Sequence, residues 1–351
     1  MKKRLFTGFT ACTLCIGLLV HAGLAGERLA VVGSWSTLPL DKQFEVPFWT
    51  RRLRAASNGA LAIEMTTHDQ MGIAPGDVFR LLGDGVFDVA MTVGDYAVAD
   101  APELEGLDVP LLANTVRQAH AMIEAARPMV EDIFAQRFNA KLLAIVPYPP
   151  QIVFCRGAVE GLAGLEGKKV RGSGRMTTEF LQALGAVGVN IAFSEVPGAL
   201  ERGVIDCAVT GAGSGYSAGW SDVCDYLYPI PLGGFDPVVT AMNMDKWNAL
   251  SPDLRKLIVT EVKTDFEAAV WAAAAGAFKT DIACMTGNGE CPLNKAAHMT
   301  PVEVTAHDLA VAKDILTTIV LPDWAERVGW SWARRWNDSV GNAVGVTIPS
   351  R

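Results

Sequence analysis

The sequence lacks the residue patterns on which most metal-dependent and nucleophilic enzymes depend. Beyond residue 25 it contains no C-x-x-C and no H-E-x-x-H, and only five histidines are spread over its 351 residues. The glycine-rich segment 211–215 precedes no Gly-Lys-Ser/Thr, and its serine is misplaced for a G-x-S-x-G elbow. We therefore expect no cofactor, no metal and no enzymatic activity, and we interpret 211–215 as a flexible binding loop.

Long apolar runs are also scarce, and the one near the amino terminus has its own explanation. Three basic residues at positions 2–4 precede a mostly apolar run, and small residues at positions 23 and 25 suit a cleavage site. This order is typical of a secretory signal peptide. We predict a signal peptide over residues 1–25 and a mature protein in the periplasm.

Positive charge is in short supply too. The chain has 30 Lys and Arg against 38 Asp and Glu, a formal net charge of −8, which becomes −11 without residues 1–25. Such a surface argues against nucleic acid and anionic membranes as partners. It does not exclude an anionic small molecule, because one local arginine can outweigh a diffuse surface charge.

The clearest pattern that is present lies in residues 168–211. A short strand ends at Arg171, a Gly-Ser-Gly turn follows, and apolar residues then recur at helical spacing as far as Gly185. Residues 187–193 alternate as in a strand, a short helix leads to Gly203, and 204–209 is a further strand. This βαβαβ unit predicts a parallel or mixed sheet.

Arg171 gives this unit its chemistry. It stands at the carboxyl end of a strand and just before a helix begins, where open α/β sheets bind ligands. Free N–H groups and the positive end of the helix dipole point to the same place. A guanidinium there can bind a carboxylate with two hydrogen bonds. The alternative is a surface arginine that only covers the turn.

The same residues carry a family resemblance. Lys169-x-Arg171, a helix ending in Leu184-Gly185-Ala186, and Phe193-Ser194-Glu195-Val196 followed by Ala199-Leu200 and Gly203 to Asp206 resemble the solute-binding proteins of TRAP transporters (tripartite ATP-independent periplasmic transporters), the C4-dicarboxylate-binding-like family. The resemblance implies a carboxylate ligand bound by Arg171. It also implies delivery of a small organic acid anion to integral membrane permease subunits, with the receptor acting as a monomer.

The chain departs from the family pattern in two places. Ala208-Val209-Thr210, preceded by Cys207, stands where many members have glycine and then Gln-Glu-Asn, so Thr210 is only a positional substitute. Gln151 stands where some members have a second arginine. One firm positive charge then favours a monocarboxylate with an apolar or aromatic body over a C4-dicarboxylate or a sugar acid.

An internal repeat supports two related lobes independently of the family. Residues 82–92 match residues 200–210 at a constant offset of 118, with a glycine, an apolar strand, an aspartate and a strand-end threonine in the same order. Thr92 and Thr210 should therefore lie at equivalent strand ends and could face one cleft.

These elements predict an α/β fold of two lobes, similar to type II periplasmic binding proteins. Residues 26–150 with about 237–280 form lobe 1, and 151–236 with about 281–351 form lobe 2. The chain should cross between lobes near Tyr148 to Gln151 and near Tyr228 to Asp236. From Leu254 to about Ala283 the sequence predicts one long helix that lies across both lobes. Helices from Ile315 to Trp336 should pack on lobe 2.

The candidate ligand-binding residues lie at strand ends, at the crossings and in the first loop. They are Arg171, Ser173, Gln151, Thr210, Thr92, Trp35, Phe235 and Asp236. Tyr148 and Trp220 are further aromatic candidates, although core packing is the more common role for each such residue. Cys284 and Cys291 flank a short Gly-Asn-Gly turn and favour a disulfide. Whether Cys155 pairs with Cys207 stays open.

The leading function is a periplasmic receptor that closes two lobes on an organic acid anion. The alternatives are a subunit that presents the same ligand to a signalling system and a secreted two-lobed enzyme. The missing acid/base and nucleophile patterns count against the enzyme.

Overall fold

The structure, a computed structural model, describes residues 26–292 and 296–349. The predicted signal peptide lies outside the described residues. Two sheets organise the described chain, with strand orders β2-β1-β3-β10-β4 and β11-β9-β5-β8-β6-β7. The strands are β1 (Glu27–Gly33), β2 (Leu61–Thr67), β3 (Val89–Val93), β4 (Ala140–Val146), β5 (Gln151–Cys155), β6 (Lys169–Arg171), β7 (Val187–Val189), β8 (Cys207–Gly211), β9 (Tyr226–Tyr228), β10 (Val238–Asn243) and β11 (Thr300–Pro301).

Helices cover the faces of both sheets. The α-helices are α1 (Leu53–Ala56), α2 (Val78–Gly83), α3 (Val116–Arg137), α4 (Arg175–Ala183), α5 (Val196–Glu201), α6 (Ala212–Ser217), α7 (Met244–Ala249), α8 (Pro252–Glu261), α9 (Ala268–Thr286), α10 (Ala306–Ile315), α11 (Leu321–Val328), α12 (Trp330–Trp336) and α13 (Asn342–Val344). π-Helical turns occupy Asp41–Glu45, Phe48–Arg52, Val262–Glu267, Leu316–Val320 and Asn337–Gly341. 3-10 turns occupy Pro75–Asp77, Gly94–Ala97, Pro102–Leu107, Ala163–Leu165, Phe193–Glu195 and Trp220–Asp222.

The two sheets share one plan. In lobe 1, β1 pairs in parallel with β2 and β3, and β10 joins β3 in antiparallel fashion. In lobe 2, β6 pairs in parallel with β7 and β8, and β5 joins β8 in antiparallel fashion. Each lobe therefore receives an antiparallel strand from the part of the chain that has just crossed from the other lobe.

The sequence repeat corresponds to a repeat of structure. Helix α2 and strand β3 have the same bounds as α5 and β8 once 118 is added. The recurring aspartates have one role, because Asp88 Oδ2 accepts the N–H of Ala30 and Asp206 Oδ2 accepts the N–H of Lys169, both at 2.8 Å. Strand β8 begins three residues later than the predicted 204–209, and β3 begins at the equivalent residue. Val86 and Val204, which extended the apolar pattern, lie exposed in equivalent turns.

A continuous helical segment over 252–286 joins the lobes. It consists of α8, the π-helical turn Val262–Glu267 and α9. Its first half buries Ile258, Val262 and Phe266 against the core of lobe 1, while Phe278 and Met285 pack in a core cluster of lobe 2. The long spanning helix that the sequence predicted is therefore present.

The carboxyl-terminal helices differ from the expectation that they pack on lobe 2. The π-helical turn Leu316–Val320 contacts α4 of lobe 2, but α11 and α12 turn towards lobe 1. Trp324 Nε1 donates to the carbonyl of Pro102 at 3.1 Å, and Trp336 Nε1 donates to that of Gly106 at 2.9 Å. These two tryptophan side chains are buried against lobe 1. The periodicity of the sequence shows that a helix face is apolar but not which lobe that face packs on.

Helix α3 continues through a proline. Pro128 lies inside a single helix whose inner face buries Ile123, Val130 and Phe134. Burial of this long apolar face outweighs the one main-chain hydrogen bond that proline removes.

Two disulfides are present among the described residues. Cys155 and Cys207 are paired neighbours on β5 and β8, and their sulfurs are bonded. Cys284 and Cys291 are bonded across the short turn that follows α9. Cys224 is a buried free thiol. Over the same residues, 26–292 and 296–349, no helix is long and apolar enough to cross a membrane.

Candidate ligand-binding site

A small cavity of about 10 Å³ lies where the lobes meet, with room for about one water molecule. We call it the inner cavity. The Trp35 ring forms its aromatic centre, with T-shaped contacts to Tyr96, Tyr148 and Phe193 at centroid distances of 5.8, 6.3 and 6.2 Å. Phe193 comes from lobe 2, so the aromatic wall is completed only when the lobes meet. The lining residues are Trp35, Leu38, Tyr96, Tyr148, Phe193, Thr210, Ser214 and Asp236.

Arg171 is buried next to this wall, and main-chain carbonyls fix its guanidinium. Nε donates to the carbonyl of Ile191 at 3.1 Å, and Nη1 donates to the carbonyl of Val209 at 2.7 Å. The guanidinium also donates to the hydroxyl of Tyr96, a residue of the cavity wall. A planar donor held in this way needs no further ordering before it binds an anion.

Three carboxyl groups lie beside Arg171. Asp95, Asp108 and Asp236 each place an oxygen within 4.8 Å of the others. Burial raises the pKa of Asp95 and Asp236 well above the usual range, and the neighbouring carboxylates raise it further, whereas Arg171 lowers it. Burial also raises the pKa of Asp108, to about 6.

Asp108 is fully engaged within the protein. Its Oδ1 accepts the N–H of Asp236 at 2.7 Å, and its Oδ2 accepts from Gln151 Nε2 at 2.7 Å. The N–H of Gly234 donates to the same carboxylate. Asp108 therefore orders the second crossing, where Gly233 and Gly234 allow this close approach.

The free acceptors of the cluster belong to the other two aspartates. Asp95 Oδ1 and Asp236 Oδ1 are buried and have no hydrogen-bond partner among the described residues. The cluster is a poor cation site, because both oxygens of Asp108 already accept N–H groups and the Arg171 charge lies beside it. A ligand that donates hydrogen bonds fits these oxygens better.

Comparison with known proteins identifies the family. Residues 41–279 match the family model DctP, described as bacterial extracellular solute-binding protein, family 7. The chain belongs to this family. Its members bind solutes, so the chain is a solute-binding protein and not an enzyme. The TRAP resemblance noted in the sequence is confirmed.

Solved structures show the same fold. DctP7 from Bordetella pertussis, a solute receptor binding pyroglutamic acid, aligns with a TM-score of 0.78 and 19% identity over 90% of this chain and 100% of its own. A marine metagenome TRAP solute-binding protein in complex with 3-hydroxybenzoate aligns with a TM-score of 0.74 and 23% identity over 91% of this chain and 99% of its own. Both are TRAP-type or related receptors, and the predicted two-lobed α/β class is confirmed.

The candidate residues of this family member fall into three groups. Trp35, Thr210 and Asp236 line the inner cavity, and Arg171 lies against its wall. Gln151 does not line the inner cavity, and its side-chain Nε2 donates to Asp108 instead. The remaining three are outside the lining: Phe235 belongs to the core, Ser173 Oγ donates to Thr177 Oγ1 at 3.4 Å, and Thr92 is fully buried.

Sequence reasoning missed several residues in or beside the inner cavity. Asp95, Tyr96 and Asp108 did not appear among the candidates. The internal repeat could have indicated Asp95 and Tyr96. These residues come shortly after β3, just as the segment 212–215 comes directly after β8. The segment 211–215 was interpreted as a flexible loop, but its residues 212–215 form most of helix α6. Gly213 packs there, and its N–H donates to the Asp281 carboxylate of α9.

A larger cleft of about 660 Å³ opens from the same region. Tyr148 and Ser214 line both this outer cleft and the inner cavity. Its other walls come from the first loop of lobe 1, the crossing segment 147–149, helix α6 and the small residues of α9. The outer cleft and the inner cavity are therefore neighbours that share part of one wall.

Proposed function

We propose that the chain is the periplasmic receptor of a TRAP transporter. It binds an organic acid anion between its lobes, with preference for a monocarboxylate that has an apolar or aromatic body. It then delivers the ligand to membrane permease subunits. The observation that carries this proposal is the buried Arg171 guanidinium, which two main-chain carbonyls hold against an aromatic cavity between the lobes.

The inner cavity has room for about one water molecule in this structure, so it widens to take a ligand, and its walls favour a ring or a short apolar body. Trp35, Tyr96, Tyr148 and Phe193 offer ring faces and edges, and such contacts reward flat ligands. Arg171 supplies the positive charge, while Gln151 is engaged with Asp108 and adds none. Relatives that bind pyroglutamic acid and 3-hydroxybenzoate are consistent with a cyclic monocarboxylate.

Ligand capture proceeds by lobe closure. Arg171 and Thr210 belong to lobe 2, whereas Trp35 and Tyr96 belong to lobe 1, so only the closed arrangement offers all contacts at once. The segments 147–150 and 229–237 connect the sheets and lie side by side, with the N–H of Tyr148 donating to Phe235 and that of Gln151 to Gly234. They form the hinge in this proposal, which divides lobe 1 (26–150 with 237–280) from lobe 2 (151–236) and leaves the carboxyl-terminal helices bridging both. Ligand binding drives closure through contacts absent from the open state.

Gly174→Ala should weaken ligand binding about tenfold while the protein stays folded. The Asp95 carboxylate of lobe 1 lies against Gly174 of lobe 2, and a Cβ there would overlap Asp95 Oδ2. The added methyl group therefore opposes closure. Titration calorimetry measures the change, and Gly157→Ala, where a Cβ meets nothing within 4 Å, is the matched control. Equal affinity in wild type and Gly174→Ala would show that Asp95 does not mark a closure contact.

A thermal-shift screen tests the proposal as a whole. A ligand at 100 times its dissociation constant adds about 2.7 kcal/mol to the free energy of unfolding. We expect shifts with aromatic and cyclic monocarboxylates such as benzoate, 3-hydroxybenzoate and pyroglutamate. Stronger shifts with succinate or gluconate would transfer the proposal to a dicarboxylate or sugar-acid receptor, and shifts only with sugars, amines or peptides would refute it.

A further inference from the structure

The aspartates beside the inner cavity, Asp95, Asp108 and Asp236, constrain the chemistry of the ligand in a way that Arg171 does not. A site for a simple carboxylate needs positive charge and donors, yet this one contains three carboxyl groups beside one guanidinium. Burial raises the pKa of Asp95 and Asp236, which favours their neutral form, but a carboxyl group in either form keeps an oxygen that accepts hydrogen bonds. The three aspartates therefore need an explanation in terms of what they accept.

Two of the three leave an oxygen unused. Asp108 accepts from Asp236, Gln151 and Gly234, so its role is structural. Asp236 Oδ1 and Asp95 Oδ1 accept from no described residue, although both side chains are more than nine-tenths buried. Buried acceptors are nearly always satisfied in folded proteins, so such an oxygen at a cavity wall indicates a donor supplied from outside.

Asp236 is also held in place. Its backbone is in the left-handed region with φ of 45°, a conformation that aspartate tolerates better than most residues. Its N–H donates to Asp108 Oδ1, which fixes the second crossing at this residue. The residue borders the inner cavity, and its Oδ1 is buried there without a partner among the described residues.

We propose that Asp236, with Asp95 beside it, is an acceptor subsite, so that the ligand is an organic acid that also carries an N–H or O–H donor. Arg171 binds the carboxylate, the aromatic walls enclose the body, and Asp236 Oδ1 accepts the donor. The inference rests on the proposed function, because it assigns a second contact to the same ligand. It excludes plain aromatic and aliphatic acids as the preferred ligands.

Two ligand pairs that differ only in the donor test this subsite. 5-Oxopyrrolidine-2-carboxylate has a ring N–H that its lactone analogue, 5-oxotetrahydrofuran-2-carboxylate, replaces with oxygen. 3-Hydroxybenzoate has an O–H that 3-fluorobenzoate replaces with fluorine. We expect the donor-bearing acid of at least one pair to bind wild type roughly 10- to 100-fold more tightly by titration calorimetry.

The variant Asp236→Ala removes both side-chain oxygens and keeps the main-chain N–H of residue 236, and any general loss of affinity acts on both acids of a pair and cancels in the preference. In this variant the preference within the pair should fall to about threefold or less, chiefly through weaker binding of the donor-bearing acid. Asp100→Asn changes an exposed aspartate and should leave the preference as in wild type.

The outcomes separate this inference from the proposed function. Equal binding within both pairs, or a preference that survives Asp236→Ala, overturns the subsite while the carboxylate receptor stands. If no carboxylate binds, the proposed function falls and the subsite falls with it. Loss of the preference on removing Ca²⁺ with a chelator, or on replacing Na⁺ with choline, would show that the aspartates hold a cation and would also overturn the subsite.

Discussion

Arg171→Ala should weaken ligand binding by roughly 30-fold to several-thousand-fold. Removing one partner of a buried, hydrogen-bonded charge pair typically costs ~2–5 kcal/mol, and each ~1.4 kcal/mol is a factor of ten. The loss should be large here because Arg171 is 3% exposed and its guanidinium is already oriented by Ile191 and Val209. In the variant the ligand carboxylate faces Asp95 and Asp236 without an intervening positive charge.

Two further arginine variants define the cause of that loss. Arg171→Lys should rescue binding only in part, because an ammonium group cannot keep both carbonyl contacts and still offer a planar pair of donors. Arg175→Ala is the matched control, since Arg175 is half exposed and pairs with Glu179 at 3.3 Å on its own helix. Titration calorimetry on variants with unchanged circular dichroism measures each effect. If Arg171→Ala binds within threefold of wild type while Arg175→Ala loses binding, the anion site lies at Arg175 and not at Arg171.

The position of Arg171 could be predicted because local signals agree there. A strand, a Gly-Ser-Gly turn and an amphipathic helix follow one another without conflict, and β6 and α4 form as that order requires. Gly172 explains part of the pattern, because a Cβ at this position would overlap Thr178 Oγ1 at the start of α4. A residue whose environment is set by its own neighbours can be placed from sequence.

The acidic cluster could not be predicted for the opposite reason. Asp108 meets Gln151 across 43 residues and Asp236 across 128 residues, and no local pattern marks such pairs. The repeat placed Thr92 and Thr210 on equivalent strands, yet the lobes differ in the segments that come after those strands. Tyr96 in the 3-10 turn Gly94–Ala97, rather than Thr92, forms the cavity wall in lobe 1.

A second large effect is expected far from the ligand, at the junction of three segments. Glu105 of lobe 1 is almost completely buried and accepts from Arg327 Nη2 of α11. Arg327 Nη1 also lies 2.8 Å from Glu179 Oε1 of α4 in lobe 2. Arg175 is the other cation near Glu105, at 3.8 Å. Arg327 therefore links the carboxyl-terminal helices to both lobes.

Arg327→Ala should lower the free energy of unfolding by about 3 kcal/mol, because breaking a buried ion pair from one side leaves an uncompensated buried charge. Denaturant unfolding of the ligand-free protein measures this. Arg335→Ala removes a pair of similar length, 2.7 Å to Asp132, in which both side chains are about half exposed, and should cost less than about 1 kcal/mol. Equal losses in the two variants would show that burial of Glu105 is not what gives the Arg327 pair its strength.

The dependence on pH identifies Glu105 as the source of the Arg327 effect. Burial raises the pKa of Glu105 above its ordinary value of 4.5, and Arg327 opposes that rise. Without Arg327 the pKa of Glu105 rises further. Over a range of pH above 4.5, Glu105 is then protonated in the folded variant but ionised in the unfolded chain. The variant therefore keeps its stability at pH values below that range and becomes less stable as the pH increases through the pKa of Glu105 in the folded state. The deficit of Arg327→Ala should accordingly be larger at pH 8 than at pH 5, and Glu105→Gln in the same background should remove this difference. A deficit that is the same at both pH values would assign the loss to packing of the arginine stem instead.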